Sequence, residues 1–201
     1  MISFYELKPK FQQMLMPVVN LLHKNHVTPN QVTISACLLS ITIGVLFYFN
    51  YESSWIYAVI PLFMFVRMAM NAIDGVLAKK FNLQSRLGKF LNELTDVISD
   101  TALFIPFLFL TQTFTASVII FISLSIISEM AGVLSEVTSG ERRYDGPMGK
   151  SDRAFLIGAV AVLLLFNVPL EPYLHIVFII ASALIAVNIY KRVLGGLEET
   201  Q

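Results

Sequence analysis

The sequence predicts an all-α membrane protein, with six transmembrane helices preceded by an amphipathic helix lying at the membrane surface. Three observations predict it. Of 201 residues 56% are hydrophobic and only 14% charged, against roughly 45–50% and about 25% in soluble domains. Apolar stretches run over Val32–Phe49, Trp55–Ile73, Thr101–Phe114, Thr115–Leu134, Ala154–Val168 and Tyr173–Tyr190, most of them close to the ~20 residues that cross hydrocarbon. Finally, the basic residues fall in alternate connections, as membrane topology requires.

In chain order, residues 1–27 form the predicted juxtamembrane helix and 28–201 the six-helix membrane domain. Phe4, Leu7, Phe11, Leu15, Val18, Val19 and Leu22 recur at helical spacing with lysines between them, the pattern of a helix in the membrane surface. The segment lacks the compact apolar core and small-residue cleavage site of a secretory leader. Lys8, Lys10 and Lys24 precede the first span; Lys79, Lys80, Arg86 and Lys89 lie between the second and third; Arg142, Arg143, Lys150 and Arg153 between the fourth and fifth; Lys191 and Arg192 follow the sixth. The connections around 50–54, 111–115 and 169–172 carry no lysine or arginine. The positive-inside rule therefore predicts that both termini and the basic loops are cytoplasmic, in a bacterial inner membrane. Arg67, inside the second span, is the exception, and Asp100 or Glu129 is its expected ion-pair partner. Formal net charge is zero, and no nucleic-acid partner is expected. The single cysteine, Cys37, lies within an apolar span, where a packing role is expected rather than thiol chemistry.

One polar segment carries chemistry. Asn71, Asp74 and Ala78 share a helical face at the end of the second span; Gly88, Asn92, Asp96 and Asp100 repeat every fourth residue into the third. The short connection at 82–85 makes these helices expected antiparallel neighbours whose polar faces meet. Carboxylates at such depth are functional by default, because lipid cannot solvate them. Oxygen ligands on facing helices suit a hard ion, Mg2+ or Mn2+, which bridges phosphate oxygens. Gly75 and Ala78 leave room for a ligand near the backbone, and Lys79 offers a charge to a phosphate. A metal-bound diphosphate fits these features together.

The segment Asn71-x-x-Asp74-Gly75-x-x-Ala78-Lys79, eight residues, then Gly88-x-x-x-Asn92-x-x-x-Asp96 resembles the signature of the CDP-alcohol phosphotransferases, Asp-x-x-Asp-Gly-x-x-Ala-Arg followed by Gly-x-x-x-Asp-x-x-x-Asp. Thr28-Pro29-Asn30-Gln31-Val32-Thr33 and Gly149-Lys150-Ser151-Asp152-Arg153 are similar to two further stretches of that family. The resemblance implies transfer of a phosphatidyl group from CDP-diacylglycerol, or a related CDP-alcohol, to an acceptor alcohol with release of CMP, in phospholipid biosynthesis. It implies metal ligation by Asn71, Asp74, Asn92 and Asp96, with Asp96 also the catalytic base. It implies CDP-lipid binding by Asn30, Gln31, Val32, Thr33, Gly75, Ala78, Lys79, Ser85 and Gly88, acceptor binding by Arg143, Lys150 and Arg153, and a homodimer.

Three positions depart from the signature: Asn71 and Asn92 stand where it has aspartate, and Lys79 where it has arginine. Two carboxylates balance one divalent ion rather than two, so one tightly held ion is favoured, with Glu93 and Asp100 as auxiliary carboxylates for a second. Lys150 and Arg153 favour a phosphorylated acceptor, while serine, inositol or a plain glycerol lipid stays open at this point. A degenerate relative that binds CDP-lipid without turnover, or partners another lipid enzyme, is the alternative the asparagines raise. A small transporter would fit six spans but leaves the spaced signature unexplained.

Overall fold

In the computed structural model, which describes residues 4–111 and 114–198 and their side chains from Lys10 onward, the ordered elements are helical. They are α1 (Phe4–Lys24), α2 (Pro29–Asn50), α3 (Ser54–Lys80), α4 (Arg86–Phe104), α5 (Phe107–Leu110), α6 (Ala116–Ser139), α7 (Lys150–Leu165) and α8 (Leu174–Leu197), with a 3-10 turn at Glu171–Tyr173. The predicted segments 1–27 and 28–201 begin and end outside the described residues. So do Gln112 and Thr113, in the third predicted span, and the side chains of Phe4, Leu7 and Lys8.

Local chemistry sets the helix ends. Thr28 caps α2: its hydroxyl accepts from the Gln31 amide at 3.3 Å, the Gln31 side chain accepts from the Thr28 amide at 2.8 Å, and Pro29 occupies the first helical position. Proline costs nothing there, since its missing N–H has no helical partner at that position. Ser85 caps α4 by accepting from the Gly88 amide at 2.9 Å. The predicted third span, a continuous apolar run over 101–114, is instead interrupted. The polar stretch from Arg86 belongs to one helix that ends at Phe104, and a turn at Ile105–Pro106 separates it from the four-residue α5. Pro106 has no N–H for the i−4 carbonyl and its ring crowds that carbonyl.

Four helical stretches are long and apolar enough to cross a membrane: Pro29–Asn50, Ser54–Lys80, Ala116–Ser139 and the turn plus α8, Glu171–Leu197. The other two predicted spans fall short for different reasons. Helix α4 carries Arg86, Lys89, Glu93, Asp96 and Asp100, and α7 has 16 residues, about 24 Å at ~1.5 Å per residue.

Packing places α2 against α3 and α4, α1 along α3, α3 on α7, and α6 against both α8 and α4. The expected α3–α4 pair is therefore indirect. Helix α2 packs on both, and side chains rather than backbones join the two signature helices. Gly44 permits the close α2–α4 approach, since a Cβ there would collide with the Ala102 carbonyl. Helix α1 turns Leu15, Val19 and Leu22 onto Val32, Ile73 and Leu77, and leaves Met14 and Val18 exposed. Lys80 donates to Asn20 of α1 at 2.8 Å and His23 stacks on Phe81, tying this helix to the end of α3.

The bundle interior is segregated by polarity. One end holds Phe47, Ile56, Ile60, Phe104, Phe107, Phe121, Ile157 and Phe178, with Phe107–Phe178 and Phe121–Phe178 ring centroids 5.6 and 5.1 Å apart. The other end buries Thr33, Arg67, Asp74, Asp96, Asp100, Glu129, Arg153 and Arg192. Outward faces of the long helices carry exposed Leu38, Val45, Phe65, Ile120, Ile127 and Ile180, side chains suited to lipid. Between apolar helices in lipid, tight packing and buried polar contacts carry association, because the tails are as apolar as leucine.

Candidate active site

Helices α3 and α4 bring the signature to the basic end of the bundle, as the helical spacing predicted. Asp74 and Asp96 are buried; Asn71 and Asn92 are half-buried beside them. The Asn71 amide donates to Asp96 Oδ1 at 3.4 Å. Thr33, expected at the nucleotide, donates its hydroxyl to Asp74 Oδ2 at 2.7 Å, so it fixes that carboxylate from α2. The Lys150 ammonium pairs with Asp96 Oδ2, and Arg67 lies 3.8 Å from Asp96 Oδ1. Oxygen donors predominate, and among the described residues no three His, Cys, Asp or Glu side chains form a metal-holding group. Two carboxylates with two amide carbonyls are donors that suit a hard divalent cation, and they would hold one through Asp74, Asp96, Asn71 and Asn92.

The predicted nucleotide residues form the outer rim. Gly75, Lys79 and Ser85 are exposed, and Asn30, Ala78 and Gly88 half-buried. A Cβ on Gly88 would approach Asn30 Oδ1 to 2.8 Å, which places the α2 and α4 parts of the rim side by side. Gln31 spends its side chain on the α2 cap and Val32 packs in the α1–α3 cluster. Around Gly75 a Cβ would meet nothing within 4 Å. Glycine there serves no helix packing, and alanine is the better helix former by about 1 kcal/mol. Gly75→Ala is therefore expected to fold normally yet to weaken CDP-lipid affinity about tenfold, if a ligand lies against that backbone. Equal affinities of the two proteins in a binding titration would deny Gly75 that role.

Beneath Asp96 lies a network of arginines and carboxylates. Arg67 Nη1 donates to Asp100 Oδ1 at 2.6 Å, the pair expected from the sequence. Arg153, with 0% of its surface exposed, reaches Asp100 Oδ2 at 3.3 Å and Glu129 Oε1 at 2.9 Å. Glu129 also accepts from Arg142 at 2.9 Å and lies 3.5 Å from Arg192 Nη1. Arg142 pairs in addition with Glu93. Glu93 and Asp100, expected as auxiliary metal carboxylates, are thus held by arginines here. Of the three expected acceptor residues, Lys150 and Arg153 join the cluster. Arg143 instead lies along α8 beside Gly195, where a Cβ would come 3.3 Å from its Nε.

Two cluster members, Arg192 and Arg142, stand in the sequence chiefly as loop charges. Arg192 reads in the sequence only as a loop charge, yet it is 2% exposed and donates to the Ser128 carbonyl at 2.5 Å. Its signal was available: Ser128, Gly132 and Ser135 on α6 form a small-residue stripe, and Asn188, Arg192 and Gly196 on α8 recur every fourth residue to meet it. A Cβ on Gly132 would come within 3.2 Å of the Arg192 guanidinium. Arg142 is brought in by its loop. Gly140 ends α6 at φ 78°, and Gly146, at φ 95°, touches α8 so closely that a Cβ would lie 2.7 Å from Asn188 Cα. No hydrophobic periodicity reports that fold-back.

Helices long and apolar enough to cross a membrane, packed around buried carboxylates at the basic end of the bundle, define the class as a helical membrane protein. The chain belongs to the CDP-alcohol phosphatidyltransferase family, whose sequence profile matches residues 26–189. Escherichia coli (strain K12) inner membrane protein YnbA is 44% identical over 156 residues, 78% of this chain and 77% of that one. An uncharacterized Aquifex aeolicus (strain VF5) protein is 34% identical over 94 residues, 47% of this chain and 45% of its own. Among solved structures, Mycobacterium tuberculosis phosphatidylinositol phosphate synthase (PgsA1) in complex with manganese and citrate superposes with a TM-score of 0.75 at 19% identity, over 90% of this chain and 88% of that one. The same enzyme with CDP-DAG bound gives 0.73 at 18% identity, over 94% and 99%. At such identities the likeness shows a shared fold.

Proposed function

We propose that this chain is an integral membrane transferase that moves a phosphatidyl group from CDP-diacylglycerol, or a related CDP-alcohol, to an acceptor alcohol with release of CMP, in phospholipid biosynthesis. The observation that carries the reading is the meeting of Asp74 and Asp96, from two separate helices, in one buried polar site with Lys150 on Asp96. Family membership and the fold shared with a synthase solved with CDP-DAG support it.

In this reading Asp96 takes the proton of the acceptor hydroxyl. The hydroxyl oxygen bonds to the lipid-side phosphorus, the bond from that phosphorus to the CMP oxygen breaks, and its electron pair leaves on CMP. Thr33 holds Asp74 in place, and the rim from Asn30 through Gly75, Ala78, Lys79, Ser85 and Gly88 seats the nucleotide. Asp74, Asp96, Asn71 and Asn92 would hold the Mg2+ or Mn2+, which would supply positive charge to the diphosphate and the leaving phosphate. With two carboxylates the site favours one ion, and Lys150 supplies a further fixed positive charge beside Asp96. The protein functions as a homodimer in a bacterial inner membrane, where all six predicted spans cross, α1 lies at the cytoplasmic face, and the site opens to the cytoplasm. YnbA's description as an inner membrane protein supports that location.

The test is incubation of purified protein with labelled CDP-diacylglycerol, a divalent ion and a panel of acceptors, following CMP and lipid product. CMP release that requires both metal and acceptor is the expected result; none with any acceptor rejects the transferase. Orientation is checked separately. A reporter inserted near Gly146 is expected to read cytoplasmic and one near Ser53 external, and a cytoplasmic Ser53 overturns the six-span topology.

The asparagines favour a second reading, a relative that binds CDP-lipid without turning it over. Returning Asn71 and Asn92 to Asp separates the two. In a site adapted to one ion, the new charges crowd Asp74 and Asp96 and repel them. CMP release is then expected to fall about three- to tenfold, with half-saturation shifted to more metal. An inactive natural protein beside an active double revertant establishes decay instead.

A further inference from the structure

The basic residues near the acceptor position suggested a phosphate-binding site from sequence, but the structure balances them internally. Each of Arg67, Arg142, Arg153 and Arg192 already reaches a carboxylate of Asp100, Glu93 or Glu129. Glu129 stands at the centre of this balance. Its two oxygens face three guanidinium groups from three different segments: α7, α8 and the loop before α7. That is the arrangement three arginines would make around a phosphate, with a carboxylate of the chain itself in its place.

The geometry points to Glu129 as a specificity-determining residue that excludes a phosphorylated acceptor, so that the acceptor is a phosphate-free alcohol. This rests on the transferase reading. A phosphate entering among Arg142, Arg153 and Arg192 has to displace Glu129 or lie against it, and like charges at that range repel strongly where water is scarce. Removing a buried carboxylate from its arginines leaves an uncompensated charge. Hydroxyl groups face no such cost. The Nε–H groups of Arg142, Arg153 and Arg192 are buried without a partner among the described residues, and a hydroxyl oxygen reaching one of them would satisfy it without breaking an ion pair. The network lies one helical turn from Asp96, through Asp100 on α4, and Lys150 lies one turn from Arg153 on α7. Arg67, 3.8 Å from Asp96 and 2.6 Å from Asp100, joins the network to Asp96, so an acceptor at Asp96 borders it.

Two measurements test this. Turnover with labelled CDP-diacylglycerol is compared for matched acceptors, glycerol against glycerol 3-phosphate and inositol against inositol phosphate. The phosphate-free member of each pair is expected to have a kcat/KM at least about tenfold higher, and preference for the phosphorylated members overturns the inference. Separately, and without turnover, binding of inorganic phosphate is measured by calorimetry on the natural protein, Glu129→Gln and Glu93→Gln. The natural protein is expected to bind it weakly, and Glu129→Gln to bind at least about tenfold more tightly, with phosphate raising its unfolding temperature. Glu93→Gln, which leaves Arg142 still paired with Glu129, is expected to gain less. Phosphate binding to the natural protein as tightly as to either variant also overturns the inference. Absence of turnover with every acceptor rejects the transferase reading, while the phosphate measurement still decides what Glu129 does.

Discussion

Asp96→Asn is expected to lower CMP release by about 10³-fold while leaving the protein folded and inserted, a loss in the range that removal of a positioned base produces. The change keeps the size of the side chain and removes its charge. Two cations face that charge, Lys150 at Oδ2 and Arg67 at 3.8 Å from Oδ1. Arg67 retains its pair with Asp100 and its contact with the Asp96 backbone carbonyl at 3.3 Å, neither of which needs the Asp96 carboxylate. Lys150 is half-buried and reaches the edge of the site, where water can solvate it. The substitution therefore acts on chemistry far more than on folding. CMP release, CDP-lipid affinity and thermal unfolding in detergent are measured together. Turnover at the natural rate would remove Asp96 from the base position, and a collapsed unfolding temperature would assign it to the scaffold instead.

The fold and the carboxylate pair were legible because they rest on short-range regularities. Helical spacing alone placed Asp74 and Asp96 on inward faces, and both are buried. Arg67 announced itself as a charge inside an apolar run, and Asp100, one of its two expected partners, is 2.6 Å away. The capping side of the sequence was harder to read. Thr28 and Ser85 lie in stretches that resemble nucleotide-binding motifs, and both close helix ends, since a hydroxyl beside a helix start serves that purpose whatever else lies near. The polar faces of α3 and α4 meet through side chains, while the short connection leaves room for a third helix, α2, against both.

The arginine network was least legible, since it is assembled from five helices and one loop that folds back. A basic loop residue reads as topology under the positive-inside rule, whether it ends in water or in the protein. Arg142 and Arg143 are adjacent in sequence and carry the same charge, yet Arg142 reaches Glu129 and Glu93 while Arg143 lies along α8. The direction of the chain through Gly140 and Gly146 decides between them, and that depends on how α6 and α8 pack. Charge count alone pointed to an anionic ligand. Only the partners of each guanidinium reveal that the chain supplies its own carboxylates.

Arg153→Met is expected to be the most damaging change to stability, about 3 kcal/mol or more, the cost of breaking a buried ion network by removing one member. Methionine fills much of the volume, so the loss measures charge rather than a cavity. The guanidinium joins Asp100 on α4 to Glu129 on α6 from its place on α7, and no water reaches it. Without it Asp100 depends on Arg67 alone, and Glu129 on Arg142 and the more distant Arg192. A double-mutant cycle gives the decisive measurement. If Arg153 acts by compensating Asp100, then Asp100→Asn should cost less in the Arg153→Met background than in the natural protein, with a coupling of about 1–3 kcal/mol. Unfolding of the natural chain, both single variants and the double variant in the same detergent measures it. Additive losses, with no coupling beyond about 0.5 kcal/mol, would mean that the arginine stabilises the bundle by packing its aliphatic stem, and that the buried charges are held apart from one another by the backbone.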